Sequence, residues 1–161
     1  MIVVDNCILS SLSKIDRLDL LKSFKNLFTT PGVIEEALRS EDTKIIESIS
    51  SALDDWLIVK PIKKPQNIPD LQTEHPALSY IDCELILLCK EQKCILLTDD
   101  TKLITISENN FNIETFDFFE FLITLKNRKK LGTKDINKIV TDLEKKDHYK
   151  FSKDKLKLLL D

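Results

Sequence analysis

The residues best suited to chemistry in this chain are carboxylates at the ends of predicted strands. Asp5 follows the apolar run Ile2–Val4, and Asp99 and Asp100 closely follow the apolar run Ile95–Leu97. Such runs predict buried parallel strands, whose carboxyl ends meet at the edge where open α/β folds bind ligands. Neighbouring acids repel and raise one another's pKa, so a site that gathers them usually needs a cation.

Two further acids stand near predicted helix starts. Glu36 lies in the first turns of the helix after the second strand, and Asp82 lies near the start of a helix that Ser79 is expected to cap. Helix starts attract acids for their own stability, so each acid alone has a plain explanation as a cap. The placement of Glu36 and Asp82 together with Asp5 and Asp100, at strand ends and helix starts, is what favours one shared pocket. Carboxylate oxygens are the ligands that Mg²⁺ and Mn²⁺ prefer.

Strands that alternate with helical stretches predict a right-handed α/β domain with a mostly parallel sheet. The predicted strands are Ile2–Val4, Leu27–Thr30, Trp56–Val59, Ile95–Leu97 and, at the edge, Phe111–Glu114. The predicted helices cover Asn6–Ile15, Arg17–Phe24, Pro31–Leu38, Thr43–Leu53, Ile81–Lys90, Lys102–Asn109, Phe118–Leu125, Lys134–Leu143 and Ser152–Leu160. Pro61–Pro76 holds four of the five prolines and is predicted to be an exposed linker or flap.

Composition restricts the class of protein. A chain of 161 residues with 42% hydrophobic residues has the size of one domain with a substantial core. It shows no run near the roughly 18 apolar residues that span a bilayer and no signal peptide, so we expect a cytoplasmic protein without a membrane partner. The four cysteines form no C-x-x-C pair and are expected to be buried and reduced. Two glycines are too few for glycine-rich phosphate loops.

Charge is distributed unevenly along the chain. Residues 126–161 contain twelve Lys or Arg and six acids, a net charge of +6, which leaves −9 for residues 1–125 from a total of −3. We expect an acidic body, 1–125, and a basic helical extension, 126–161, packed on the same domain. The extension would help to recruit a polyanion, although a solvated lysine-rich helical surface explains it equally well.

The sequence resembles the PIN-domain nucleases along nearly its whole length. The resemblance rests on segments in the family's order and spacing, at residues 2–5, 9–21, 30–36, 78–86 and 96–103. The Leu-Ser-x-x-Asp and Leu-x-Thr-Asp-Asp segments look most like PIN endonucleases that mature small-subunit ribosomal RNA. The opening strand and the helical tail look more like VapC-type toxins of toxin–antitoxin pairs.

The resemblance implies a three-layer α/β/α fold and a metal-dependent endoribonuclease that uses Mg²⁺ or Mn²⁺. By motif position the family's four acids fall, in order, on Asp5, Glu36, Asp82 and Asp100. Asp99 and Glu84 are possible accessory ligands, and Glu35 competes with Glu36 because the spacing after the helix-entry proline varies among family members. The family's hydroxyl in its last motif matches Thr98.

Two departures from the family pattern bear on activity and substrate. Asn6 and Cys7 follow the first acid where the family usually has Thr or Ser, so we expect altered metal affinity more than lost activity. The chain also lacks the zinc ribbon of the ribosomal RNA-processing relatives, which weakens assignment to their substrate. The expected RNA contacts in the basic extension are Lys126, Arg128, Lys129, Lys130 and Lys134.

Several functional interpretations remain open. A toxin should have an antitoxin partner encoded in the neighbouring reading frame, whereas a processing enzyme should not. A catalytically inactive PIN domain that binds RNA or protein is a second class. A phosphotransferase of the haloacid-dehalogenase type would need a D-x-D motif, which Asp5-Asn6-Cys7 does not supply. The leucine-rich last helix either packs on the domain or forms a homodimer.

Overall fold

A computed structural model describes residues 1–161 and contains five strands and nine α-helices. The strands are β1 (Ile2–Val4), β2 (Leu27–Thr29), β3 (Ile58–Val59), β4 (Ile95–Leu97) and β5 (Thr115–Phe116). The helices are α1 (Asn6–Lys14), α2 (Pro31–Leu38), α3 (Thr43–Asp55), α4 (Ile68–Glu74), α5 (Tyr80–Gln92), α6 (Thr101–Phe111), α7 (Phe118–Asn127), α8 (Thr133–Asp147) and α9 (Lys153–Leu160). Short 3-10 turns cover Leu18–Ser23 and Pro65–Asn67.

The five strands form one sheet in the order β3-β2-β1-β4-β5, and every neighbouring pair is parallel. β1 lies at the centre, with Val3 opposite Phe28 on one side and Leu96 on the other. The predicted three-layer α/β/α fold is confirmed, with a wholly parallel sheet. The strand order reverses between β1 and β4, which is where folds of this class form a ligand crevice. Asp5 and Asp100 follow those two strands.

One hydrophobic core joins the sheet to its helices. α1 buries Ile8, Leu9 and Leu12 completely, as its helical spacing predicts. The last helices share this core, since buried side chains of α8 and α9 belong to the same cluster. Three cysteines are buried, Cys7 is partly buried, and all four are free thiols. None of the helices has the length and apolarity that a membrane crossing requires.

The prediction of an exposed linker over Pro61–Pro76 is wrong in its central part. Residues 65–67 form a 3-10 turn, and α4 follows directly. α4 packs on α5 and buries Ile68 and Leu71, at 0% and 7% exposure. Its proline, Pro69, stands in the first turn, where a missing backbone N–H costs nothing. Pro69 therefore marks the first turn of a helix and not an exposed linker.

The predicted edge strand Phe111–Glu114 is displaced. α6 continues through Phe111 and ends at Asn112, whose φ of 52° is in the left-handed region. Asparagine tolerates this conformation at the end of a helix. The strand itself, β5, begins at Thr115 and lies at the edge of the sheet.

Candidate active site

A pocket of about 600 Å³ opens at the carboxyl edge of the sheet and is called the acid pocket here. All four acids that the family pattern selects line it: Asp5, Glu36, Asp82 and Asp100. They come from four places in the chain, namely the end of β1, helix α2, helix α5 and the turn before α6. The fold therefore brings together side chains that are far apart in sequence.

Asp5 is the most buried of these acids, at 9% exposure. Its Oδ2 accepts hydrogen bonds from Thr98 Oγ1 at 2.7 Å and Cys7 Sγ at 3.3 Å. Its Oδ1 accepts a hydrogen bond from the backbone N–H of Asn6 at 2.6 Å. Burial raises the pKa of Asp5, although these hydrogen bonds oppose the change. No Lys or Arg pairs with it, so it is a buried carboxylate without a cationic partner.

Asp82 and Asp100 also serve as helix caps. Asp82 forms a capping box with Ser79, whose amide donates to Asp82 Oδ2 at 2.8 Å. Asp100 Oδ1 accepts from the amides of Lys102 and Leu103 at 2.9 and 3.0 Å. Each cap uses only one carboxylate oxygen. Oδ1 of Asp82 and Oδ2 of Asp100 thus remain available to another ligand.

Glu36 is held by Asn6, which stands where the family usually has Thr or Ser. Asn6 Nδ2 donates to Glu36 Oε2 at 2.9 Å, and Ser10 Oγ donates to Asn6 Oδ1 at 2.9 Å. Glu35, the alternative candidate, is exposed and lies 3.7 Å from Arg39. Only Glu36 of this pair lines the acid pocket.

Asp99 and Glu84, the possible accessory ligands, lie outside the acid pocket. Asp99 accepts a hydrogen bond from the Phe118 amide at 3.1 Å and lines an adjoining pocket of about 390 Å³. Tyr149 lines the same space, where burial and a hydrogen bond to Asp99 raise the pKa of its phenol. Glu84 is buried and accepts a hydrogen bond from the Gly32 amide at 2.9 Å, which joins α5 to α2.

The lysines that line the acid pocket are not those expected from the basic extension. Lys126 donates to the Leu158 carbonyl at 3.0 Å, and Arg128 lies over the Phe24 ring at 5.0 Å. None of the five predicted RNA contacts (Lys126, Arg128, Lys129, Lys130 and Lys134) lines the acid pocket. The cations that do are Lys14 and Lys102.

Asp147 is a fifth acid of the pocket, which the sequence patterns did not identify. It is the last residue of α8, and its carboxylate lies 2.5 Å from both Lys14 Nζ and Ser11 Oγ. The local pattern around it is a lysine-rich amphipathic helix, which gives no sign of a functional acid. A weak signal does exist, because a carboxylate in the last turn opposes the helix dipole.

The acid pocket is strongly negative. Five carboxylates face two lysines, and none of the four family acids forms an ion pair. The structure contains no group of three or more His, Cys, Asp or Glu side chains arranged to hold a metal ion.

Comparison with known proteins identifies the family. A family model described as a PIN domain matches residues 1–161. The chain belongs to the PIN-domain family. PIN domains are generally nucleases, so this is a fold of the nuclease type.

A crystal structure of PAE2754 from Pyrobaculum aerophilum is similar to this PIN domain, with a TM-score of 0.59 and 18% sequence identity. The similarity covers 78% of this chain and 95% of that chain. At that identity the similarity is one of fold alone. No curated protein matches the sequence.

Proposed function

We propose that this PIN domain is a divalent-metal-dependent endoribonuclease that hydrolyses phosphodiester bonds in cytoplasmic RNA. The observation that carries the proposal is the convergence of Asp5, Glu36, Asp82 and Asp100 on one pocket at the switch point of the sheet. Membership in the PIN-domain family supports a nuclease, and the pocket supplies the residues that such a nuclease needs.

The donor set fits Mg²⁺ or Mn²⁺ in chemistry and in number. All four side chains offer carboxylate oxygens, the ligands that these ions prefer. Asp5 is a buried carboxyl group without a cationic partner, and a divalent ion would stabilise its charged form. Asp82, Asp100 and Glu36 each retain one oxygen without a protein hydrogen bond. Asp5 and Asp100 are the proposed principal ligands, with Asp82 and Glu36 binding directly or through waters.

The surrounding residues hold the ligands in place. Thr98, the residue after β4, donates a hydrogen bond to the Asp5 carboxylate, so residues that follow the two neighbouring strands β1 and β4 orient this acid together. Asn6 holds Glu36 and is itself held by Ser10. A bound divalent ion supplies an activated water and offsets the negative charge of the phosphate. Lysines at the pocket reduce the remaining repulsion between acids and RNA.

Cleavage of a generic single-stranded RNA by the purified protein tests the proposal. We expect activity with MnCl₂ or MgCl₂, loss of activity in EDTA, and loss of activity in Asp5→Asn. Asp54→Asn is the matched control, because Asp54 is exposed on α3 and lies outside the acid pocket. Equal activity of wild type and Asp5→Asn would show that cleavage arises elsewhere.

The role in the cell is a separate part of the proposal. We favour a toxin of the VapBC type held by an antitoxin, with an RNA-processing enzyme as the alternative. A toxin should arrest growth when expressed alone and should recover with the product of the neighbouring reading frame. If expression is harmless and no such frame exists, the processing enzyme is the better assignment.

A catalytically inactive PIN domain that binds RNA or protein is the second candidate. Two observations favour it: the absence of a ready-made metal arrangement, and Asn6 and Cys7 where the family usually has a hydroxyl. Calorimetric titration with MnCl₂ separates the candidates. A nuclease should bind the ion in wild type and lose binding in Asp100→Asn, whereas an inactive module should show no binding in either.

A further inference from the structure

A cluster of three side chains at one end of the acid pocket joins α1 to α8. Lys14 Nζ lies 2.5 Å from Asp147 Oδ1, and Ser11 Oγ donates to Asp147 Oδ2 at 2.5 Å. All three residues line the acid pocket. The Lys14 side chain is 31% exposed and that of Asp147 is 12% exposed, so Lys14 is the more accessible of the two side chains.

Helix stability does not account for the position of Asp147. A carboxylate in the last turn of α8 faces the negative end of the helix dipole, which is unfavourable. The contact with α1 offsets this cost, because Ser11 and Lys14 are three residues apart and lie on the same face. Asp147 therefore fixes the Lys14 ammonium at the pocket. An ammonium has three donor hydrogens, so Lys14 can bind another anion while it contacts Asp147.

Lys14 lies some way along α1 from the family acids. Asn6, next to Asp5, begins the helix and Lys14 ends it, a separation of eight residues or about 12 Å along the axis. A phosphate beside Asp5 is nearest the start of α1, and Lys14 is placed for a phosphate further along the strand. RNA carries a charge at every nucleotide, so binding across an acidic pocket requires cations at more than one position.

We propose that Lys14 binds a backbone phosphate of the RNA next to the one that is cleaved, and that Asp147 and Ser11 are positioning residues that hold its ammonium there. This proposal rests on the proposed nuclease function. It gives α8 of the basic extension an indirect role in the site. The extension then contributes through Asp147, which orients a lysine of the body.

The test is binding of fluorescein-labelled single-stranded RNA to the full chain in EDTA, measured by anisotropy over a series of KCl concentrations. Lys14→Met should weaken binding roughly tenfold at the lowest salt, and should reduce the slope of log K against log [KCl] by about 0.7. Lys14→Arg should restore both. Lys22→Met is the matched control, because Lys22 pairs with Asp55 at 2.7 Å outside the acid pocket and should leave both unchanged.

Cleavage kinetics with MnCl₂ supply the second measurement. Lys14→Met should raise KM for RNA and leave kcat nearly unchanged. A fall in kcat with unchanged KM would overturn the assignment to a neighbouring phosphate. A lower melting temperature with an unchanged salt slope would also overturn the proposal, since the cluster would then only join two helices while the nuclease function stands. If wild type neither binds nor cleaves RNA, both proposals fail.

Discussion

Asp99 and Asp100 follow the same strand, yet Asp100 lines the acid pocket while Asp99 accepts a hydrogen bond from the Phe118 amide outside it. The same contrast occurs on α5, where Asp82 lines the acid pocket and Glu84 joins two helices. Consecutive residues of an extended segment, and residues two apart on a helix, point in different directions. Closeness in sequence to a site acid is thus weak evidence that a second acid belongs to the site.

The largest expected difference lies between Asp99 and Asp100. Asp100→Asn should reduce the initial rate of RNA cleavage with MnCl₂ by at least about a hundredfold, because a proposed ligand of the ion is lost. Asp99→Asn should retain metal-dependent cleavage, because Asp99 lies outside the acid pocket. A loss of similar size in both variants would mean that Asp99 turns into the pocket when the ion binds.

Substitutions of the two α5 acids, Glu84 and Asp82, should affect different properties: protein stability for Glu84 and metal binding for Asp82. Glu84→Ala removes a buried acceptor from the Gly32 amide and should lower the free energy of unfolding by about 2–3 kcal/mol. Asp82→Ala should cost only about 1 kcal/mol as a lost cap, but should weaken calorimetric binding of MnCl₂ about 10- to 100-fold. Urea denaturation measures the first effect. Greater destabilisation by Asp82→Ala than by Glu84→Ala would contradict this division of roles.

The Glu84 contact also restricts Gly32. A Cβ atom at Gly32 would lie 2.6 Å from Glu84 Oε2 and 3.2 Å from Ile81 Cγ1. Gly32→Ala should therefore lower the free energy of unfolding by about 1–2 kcal/mol. Gly132→Ala is the control, because its nearest neighbour is Asp135 Oδ2 at 3.6 Å, and it should change stability by no more than about 0.5 kcal/mol. Equal changes in stability for the two variants would show that Glu84 and Ile81 shift at little cost to make room for the added methyl group.

α8 offers the smallest expected effect. Lys138, four residues before Asp142 and 2.7 Å from it, lowers the pKa of that carboxyl. A lowered pKa stabilises the fold above the ordinary value of about 3.9, and this stability is lost as the pH falls through the lowered value. Asp142→Asn should cost about 0.3–0.5 kcal/mol at neutral pH and nothing in strong acid. Denaturant melts at both pH values check this, and a difference independent of pH would refute the electrostatic origin.

Structural features that depend on neighbouring residues in the chain are predictable from the sequence. The end of β1 just before Asp5 and the cap at Ser79 both follow from local chemistry, and both are present. The motif order then assigned the four family acids, which the structure places around one pocket.

The remaining features depend on contacts between distant segments. Ile68 and Leu71 are buried because α4 meets α5, which composition rich in proline does not show. Asp147 reaches the acid pocket because α8 returns along α1, some 130 residues later in the chain. Whether Asp99 lines the pocket depends on how the chain turns between β4 and α6. None of these is encoded in a short motif.

Three of the family acids also stabilise the starts of helices. The side chains of Asp5, Asp82 and Asp100 accept backbone hydrogen bonds at the starts of α1, α5 and α6, whereas Glu36 holds only Asn6. Each of these three contributes about 1 kcal/mol to stability, whether or not the chain is a nuclease. Glu36 caps no helix, so under the proposed nuclease function its replacement in a related chain is the change that would most specifically indicate lost catalysis.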